Sequence, residues 1–481
     1  MPTEHAAARS APTGYLGLMR ATRLTQGLAA VLGLAAFPPL HAQAGDRALL
    51  VRAIDSIASA PIEDGRVAGM SVAVVHGNDT LALKGYGYAD LELRVPTPDR
   101  AVYEIGSITK QFTAAAILQL AERGALSLDD ELTKFLPEYP TRGHRVTVRR
   151  LLDHTSGIRG YTEIAEFDRL RPFDLPRDSA VAIFSSKPFD FTPGEAMIYN
   201  NSAYFLLGLI IEKTSGETYE AYVDKHLFEP AGMRDSRYCS EKELIERRAH
   251  GYERGSNGLR PKRYIVHVWP YAAGSLCSTV GDLVAWARAV HGNGAGGSLL
   301  SPTVYRELIT PGTLNDGTRL RYAKGLSVAE IDGRRQISHG GGIFGFVSFA
   351  AYYPESDLIV VVLMNTAGTA SPDAIATDIA NRALGDPTPP VTGRYTGDAT
   401  ELAGTYTGPS RGIPMLLTVE ADSTRVTVRR GGGERMVLEH LTGLTFVRGN
   451  TRYTFVRRDG KIDTLQVDQV SGLYVLKREE P

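Results

Sequence analysis

Residues 385–401, GDPTPPVTGRYTGDATE, interrupt every hydrophobic period on either side of them. Prolines at 387, 389 and 390 fix φ and remove backbone donors, and the small polar residues around them bury little, so no helix or central strand can run through. The chain must therefore fold as at least two units. Beyond the break come eight short β-forming segments, ELAGTYTG, MLLTVEA, RVTVRRG, MVLEHL, LTFVRG, TRYTFVRRDGK, IDTLQVDQ and GLYVLKRE, separated by Gly, Asn or Asp. So many short strands in one small unit predict an antiparallel barrel or sandwich. Nothing in that unit carries chemistry at the level of sequence. We place the linker at 387–400 and the β-unit at 401–481.

Before the break the periods are mixed. Asp46 to Ala60 has apolar Leu49, Leu50, Ile54 and Ile57 at helical spacing. MSVAVVHGNDTLALKGYGYAD reads as two strands turning at His76-Gly77-Asn78-Asp79. A mostly helical stretch follows from Ile105. Strands return around RQISHGGGIFGF, and Leu358 to Met364 is apolar throughout, as a strand buried on both faces would be. A helix over Ala374–Ala383 closes the unit, which we place at 45–386.

The first 44 residues are of another kind. Arg20 and Arg23 precede the apolar run GLAAVLGLAAFPPL, and Ala42-Gln43-Ala44 supplies small residues before a cut at Gly45. This pattern predicts a secretory signal peptide over 1–44, with Met19 an alternative start, and a periplasmic or secreted protein. The run falls short of the roughly 20 residues that span a bilayer, so no stable membrane span is expected after its removal. Fifty-three basic against 54 acidic residues give a net charge of −1, which provides no field for nucleic acid. Small molecules or short peptides are the expected partners. The two cysteines, Cys239 and Cys277, could pair in an oxidising compartment but cannot form a disulfide framework. No metal-ligand spacing occurs, and no cofactor is called for.

Three segments could carry chemistry. In YEIGSITKQFTAAAILQLAERG, Gly106 permits a tight turn, Ser107 opens a helix ending near Gly124, and Lys110 returns to the same face one turn on. A serine needs a base to take its proton, and a desolvated lysine can be one. The same letters would equally serve as an N-cap and a solvated lysine. In FTPGEAMIYNNSAYFLLG, Tyr199 and Asn201 precede a second apolar helix starting near Ser202. They are either a proton relay and a substrate-binding amide, or a half-buried aromatic and a helix cap. In SHGGGIFGF, His339 begins a glycine run that weakens a strand, as fits an edge against which a ligand backbone lies. His-Gly-Gly-Gly also occurs in the oxyanion loop of some α/β-hydrolase lipases, but the Gly-x-Ser-x-Gly which that class requires is absent.

Ser107-x-x-Lys110, Tyr199-x-Asn201 and His339-Gly340-Gly341, in that order, resemble the three motifs of the serine β-lactamase and penicillin-binding superfamily. LLDHTSGI, FEPAGMRDS and AAGSLCSTVGDL resemble its connecting segments, and the likeness runs from about Val67 to Asn365. It is nearest to the branch holding class C β-lactamases, DD-carboxypeptidases, D-aminopeptidases and esterases. His339 stands where the best-known lactamases have lysine, as in some DD-peptidases and D-aminopeptidases, and the C-terminal unit resembles the lipocalin-like barrels of D-aminopeptidase-like members. The resemblance implies an α+β fold, an antiparallel sheet flanked by helices beside a helical subdomain, with the barrel appended. It implies an acyl-enzyme on Ser107, with Lys110 and Tyr199 moving protons and either serving as deacylation base. Backbone N–H groups of Ser107 and Gly342 would form the oxyanion hole, with Asn201, His339, Gly340 and Gly341 binding substrate. His339 would hold a substrate carboxylate or the proton of Tyr199. Peptides containing D-residues are the implied substrates; a carboxylesterase, a weak class C-like β-lactamase or a non-catalytic penicillin-binding protein are the alternatives.

Overall fold

The computed structural model describes residues 40–294, 296–368, 370–422 and 425–480, with side chains from residue 46 onward. The signal segment expected over 1–44 thus falls, up to residue 39, outside the described residues. Among these, no helix is long and apolar enough to cross a membrane.

A seven-stranded sheet organises the first unit. Its strands are β1 (Gly69–His76), β2 (Asp79–Asp90), β3 (Val95–Pro96), β4 (Ser327–Ile331), β5 (Arg334–Ile343), β6 (Phe346–Tyr353) and β7 (Leu358–Met364), in the spatial order β4-β5-β6-β7-β1-β2-β3. The expected hairpin turns at Gly77, which takes φ +56°. β1 and β7 are the antiparallel centre, with Met70 opposite Met364 and Val74 opposite Val360.

Every residue of β7 is buried because alternate side chains enter different cores. Val360 and Val362 join Val72, Val74, Ile54 and Ile379 on one face, beneath α1 (Leu40–Glu63) and a C-terminal helix over Pro372–Leu384. Ile359, Val361 and Leu363 join Ala73 and Val75 on the other. That second face carries the helical region: α2 (Thr109–Glu122), α3 (Asn201–Ser215) and α4 (Val280–His291). Burying each such side chain is worth about 1.5–3 kcal/mol relative to exposure, so the two-faced strand ties both layers to one sheet. The C-terminal helix of this unit is α5 (Pro372–Leu384).

The eight β-segments after the linker form β8 (Gly404–Gly408), β9 (Met415–Ala421), β10 (Val426–Arg430), β11 (Arg435–Thr442), β12 (Thr445–Arg448), β13 (Thr451–Arg458), β14 (Lys461–Gln469) and β15 (Gly472–Arg478). Each pairs antiparallel with the next, and Tyr406 and Thr407 of β8 close the cylinder against Arg478 and Lys477 of β15. Closure removes the sheet edges, and the interior is filled by Tyr406, Val428, Phe455, Leu465 and Leu476. The sequence did not reveal how the barrel attaches. Met197 and Ile198, immediately before Tyr199, add a ninth short strand to β15, opposite Leu473 and Gly472.

Candidate active site

The chain enters the site through Tyr103–Glu104, which pairs with Leu276–Ser278, so that Glu104 faces Cys277. Cys277 is disulfide-bonded to Cys239, with Cα atoms 5.2 Å apart. Gly106 then turns with φ +51°, and a Cβ there would lie 2.8 Å from the Gly342 nitrogen. No other residue satisfies both demands. Ser107 sits in the short 3-10 turn Gly106–Ile108 that leads into α2, slightly ahead of the α-helix proper.

Lys110 is wholly buried, not solvated. Its Nζ donates to Asn201 Oδ1 and to the Ala273 carbonyl, both at 2.8 Å, and lies 3.2 Å from Ser107 Oγ. Burial holds its pKa well below the usual lysine range, and the Arg411 guanidinium adds to this against the opposing charge of Glu163. A neutral amine has two N–H donors and one lone pair. In that form the two carbonyl oxygens take the donors and the lone pair is left for the Ser107 hydroxyl.

Two adjacent asparagines divide the remaining work. Asn200 is the helix cap: its Oδ1 accepts from Ala203 N at 2.9 Å. Asn201, relieved of capping, bonds Lys110 and donates through Nδ2 to Thr162 Oγ1 at 3.3 Å. The Tyr199 ring lies 4.7 Å from Lys110 Nζ, and its buried hydroxyl has no hydrogen-bond partner among the described residues. Burial raises the phenol's pKa, against the smaller pulls of Ser107 and Arg411. Tyr199 therefore stays protonated.

His154, from the LLDHTSGI segment, packs 4.4 Å from the Tyr199 ring and has φ +61°. Its Nδ1 accepts from Asn200 N at 3.1 Å, and burial first, then Lys110, keeps it neutral. His339 is also neutral, with its pKa pushed down to about 3 by burial and by Lys110. Its ring nitrogens are engaged by Tyr322 Oη at 2.9 Å and the Gly340 carbonyl at 2.6 Å. In this state it offers no positive charge to a carboxylate.

The glycines of β5 have different reasons. β4 pairs with β5 only as far as Ser338, so beyond it β5 has β6 on one side and an open edge on the other. Gly341 is required by the protein itself, because a Cβ there would lie 2.0 Å from the Ile105 carbonyl oxygen and 2.2 Å from Ser348 Oγ. At Gly342 a Cβ would meet nothing within 4 Å. The expectation that the run makes room for a ligand fits Gly342; at Gly341 the room is taken by the turn that carries the serine.

Two chambers meet at Ser107. The first, about 750 Å³, has an apolar floor including Tyr161, Phe167, Ile265 and Phe344. The second, about 620 Å³, contains Tyr199, His339, Gly340 and Gly341, and its far wall is barrel: Asn450, Ser471 and Tyr474. Ser107, Asn201, Gly342, Val347 and Arg411 line both. Arg411 comes from the loop between β8 and β9; its Nε donates to Glu163 Oε1 at 2.9 Å, and Gly412 beside it accepts from Arg159 Nη1 at 3.3 Å.

A profile of the beta-lactamase family, described as Beta-lactamase, matches residues 54–384. The chain belongs to the beta-lactamase family. Within it, 398 residues are 28% identical to a D-aminopeptidase of Gluconobacter oxydans (strain 621H), covering 81% of this chain and 71% of that one. Penicillin-binding protein 4* of Bacillus subtilis (strain 168) is 28% identical over 61% of this chain and 67% of its own. Against Protein flp of Staphylococcus aureus (strain MW2), also 28% identical, the chain spans 62% of the relative's length. Among solved structures, an octameric penicillin-binding protein homologue from Pyrococcus abyssi aligns with TM-score 0.62 and 26% identity, over 89% of this chain and 99% of its own. A structure described as SurE shares the fold over 91% of this chain and all of its own, at TM-score 0.66 and 22% identity.

For this family member, sequence reasoning located the three motifs, and the structure brings their residues around one cleft. It missed Arg411, Glu163, Tyr322 and His154. His154 lies in LLDHTSGI, where nothing in the neighbouring residues marks it for a role. Arg411 had no signal at all: a lone arginine in PSRGIP, far along the chain, is indistinguishable from surface charge.

Proposed function

We propose that this protein is a serine hydrolase that works through an acyl-enzyme on Ser107 and acts on short peptides containing D-amino acids, in the manner of a D-aminopeptidase or DD-carboxypeptidase. The observation that carries the reading is the buried Lys110, its pKa lowered by burial, with Nζ directed at two carbonyl oxygens and, in its third direction, at Ser107 Oγ.

Ser107 Oγ attacks the substrate carbonyl while Lys110 takes its proton. The oxyanion lies against the N–H groups of Ser107 and Gly342, the latter on the open edge of β5. Tyr199, kept protonated by burial, then donates to the leaving group and is reprotonated by the Lys110 ammonium beside it, which returns Lys110 to the neutral form that activates the water for deacylation. Asn201 holds Lys110 and orients the substrate amide. His339 holds Tyr322 at the back of the second chamber, with Gly340 and Gly341 beside it.

The D-peptide reading is supported by the Gluconobacter D-aminopeptidase, whose match extends past the length of the hydrolase unit, and by a D-stereospecific amidohydrolase from Streptomyces sp., 25% identical at TM-score 0.59. Barrel residues crowding the second chamber disfavour long chains there. Secretion or a periplasmic location is supported by the Cys239–Cys277 bridge, since such bonds persist in oxidising compartments. The domain limits 45–386, 387–400 and 401–481 are part of the same reading.

The test is intact mass and turnover of wild type and Ser107→Ala with a penicillin, D-alanyl p-nitroanilide and p-nitrophenyl acetate. An adduct and D-anilide cleavage confined to wild type support it. Brisk ester hydrolysis without D-peptide cleavage turns the assignment to an esterase, and rapid loss of the penicillin turns it to a β-lactamase.

A further inference from the structure

The chemistry of the leaving group fixes which chamber holds the acyl half of a substrate. Tyr199 opens into the second chamber and not the first. A leaving group protonated by Tyr199 departs through the second, so the acyl group bound to Ser107 occupies the first.

That chamber has an unbalanced rim. Its floor is apolar, the polar groups it shares with the second chamber being Ser107, Asn201 and the Glu163-paired Arg411, and Phe344 is clamped between Arg263, 4.2 Å from the ring centroid, and Arg171 at 4.6 Å. The hairpin formed by Tyr252–Gly255 and Gly258–Pro261 presents Arg254 and Arg260 to the same chamber, and Arg263 follows it. Among the described residues, only Glu253 and Asp168 line the chamber as carboxylates, and both are already paired. Glu253 holds Arg260 and Arg263, each at 3.2 Å, and Asp168 lies 3.5 Å from Arg171. Arg254 is exposed, and its side chain has no ion pair or hydrogen bond with any described residue. Positive charge is thus left uncompensated in a chamber with an apolar floor whose other charged side chains are ion-paired.

We propose that the first chamber selects acyl groups that are apolar beside the scissile carbonyl and carry a carboxylate at the far end, with Arg254 as the receiving residue and Arg263 beside it. This rests on the acyl-enzyme reading above. The Ser107 Oγ–acyl bond forms, the bond to the leaving group breaks, and the distal carboxylate stays ionised against the rim through acylation and hydrolysis. An arginine suits the task because its planar fork can meet a carboxylate with two donors.

The full chain should be assayed with mono-p-nitrophenyl suberate, whose far end is a carboxylate, and with methyl p-nitrophenyl suberate, which is neutral there. Leaving group and reacting carbonyl are identical. The acid is expected to show about tenfold higher kcat/KM at low salt, with the ratio shrinking as salt rises. Arg254→Gln should bring the ratio close to one, and Arg254→Lys should retain most of it. Equal rates for the two esters in wild type, or a preference that survives Arg254→Gln, would overturn the proposal while a Ser107 acyl adduct in the mass spectrum leaves the hydrolase reading standing. No turnover of either ester and no adduct would overturn both.

Discussion

Arg411 of the barrel and Lys110 of the helical layer are joined by an unbroken run of hydrogen bonds. Arg411 Nε donates to Glu163 Oε1 at 2.9 Å, which also accepts from Thr162 Oγ1 at 2.9 Å; Thr162 accepts from Asn201 Nδ2 at 3.3 Å, and Asn201 Oδ1 accepts from Lys110 at 2.8 Å. The barrel therefore reaches the proposed base through four contacts. Arg411 also helps to lower the Lys110 pKa, after burial itself. Replacing Arg411 with Gln removes that repulsion and leaves Glu163 unpaired, and both changes favour the ammonium. Lys110 acts when neutral, so activity is lost as pH falls through its pKa. In Arg411→Gln the acidic limb of kcat/KM should move to higher pH. Simple structural damage would lower the plateau without moving the limb, and a pH profile of ester hydrolysis separates the two.

Asn200 and Asn201 should separate stability from activity. Asn200→Ala removes the cap on α3 and is expected to cost about 1 kcal/mol in denaturant unfolding, with a smaller effect on turnover. Asn201→Ala should unfold nearly as wild type does but lose about 10- to 100-fold in kcat, since it frees Lys110 from one of its two carbonyl partners. Reversed outcomes would mean that the cap and the site had been assigned the wrong way round.

Gly341→Ala and Gly342→Ala form a matched pair on one strand. A Cβ at 341 collides with the Ile105 carbonyl, and that contact sets the height of the serine turn against β5. Its substitution should abolish detectable turnover and lower the thermal midpoint. Gly342→Ala meets open space and should fold normally, with activity reduced chiefly for bulky substrates. Thermal melts together with rates on a small and a large p-nitrophenyl ester would test the contrast.

Buried histidines should make the fold acid-labile. His339 and His291 are pushed from the ordinary 6.5 down to about 3 by burial, and His154 is lowered for the same leading reason. Between these limits the unfolded chain binds protons that the native chain refuses. Stability is therefore fully present above pH 6.5 and falls as pH drops toward 3, with a slope approaching two protons from His339 and His291, or about 3 kcal/mol per pH unit, to which His154 adds in the same direction. His291 lies away from the cleft, 3.3 Å from Tyr305 Oη and stacked on Tyr352. His291→Gln should make the dependence shallower by about one proton, measured by denaturant unfolding across that range.

The sequence by itself determined whatever depends on neighbours along the chain. The proline-rich break over 385–401, the hairpin at Gly77, the doubly buried strand Leu358–Met364 and the eight barrel strands are each local patterns of period, turn residue and apolar run. The motif spacings were legible for the same reason, since one turn of helix sets Ser107 beside Lys110. Only the tertiary structure decided the electrostatics. Whether Lys110 was solvated or buried, which of two asparagines capped α3, and whether His339 kept a charge all turned on segments far away in sequence. Arg411 shows this most clearly. It lies 301 residues from Lys110, in a loop without a motif, and reaches the cleft because Met197 and Ile198 pair with β15 and draw the barrel against the segment that carries Tyr199. Desolvation and Coulomb interactions act through space, so their partners cannot be read from order along the chain.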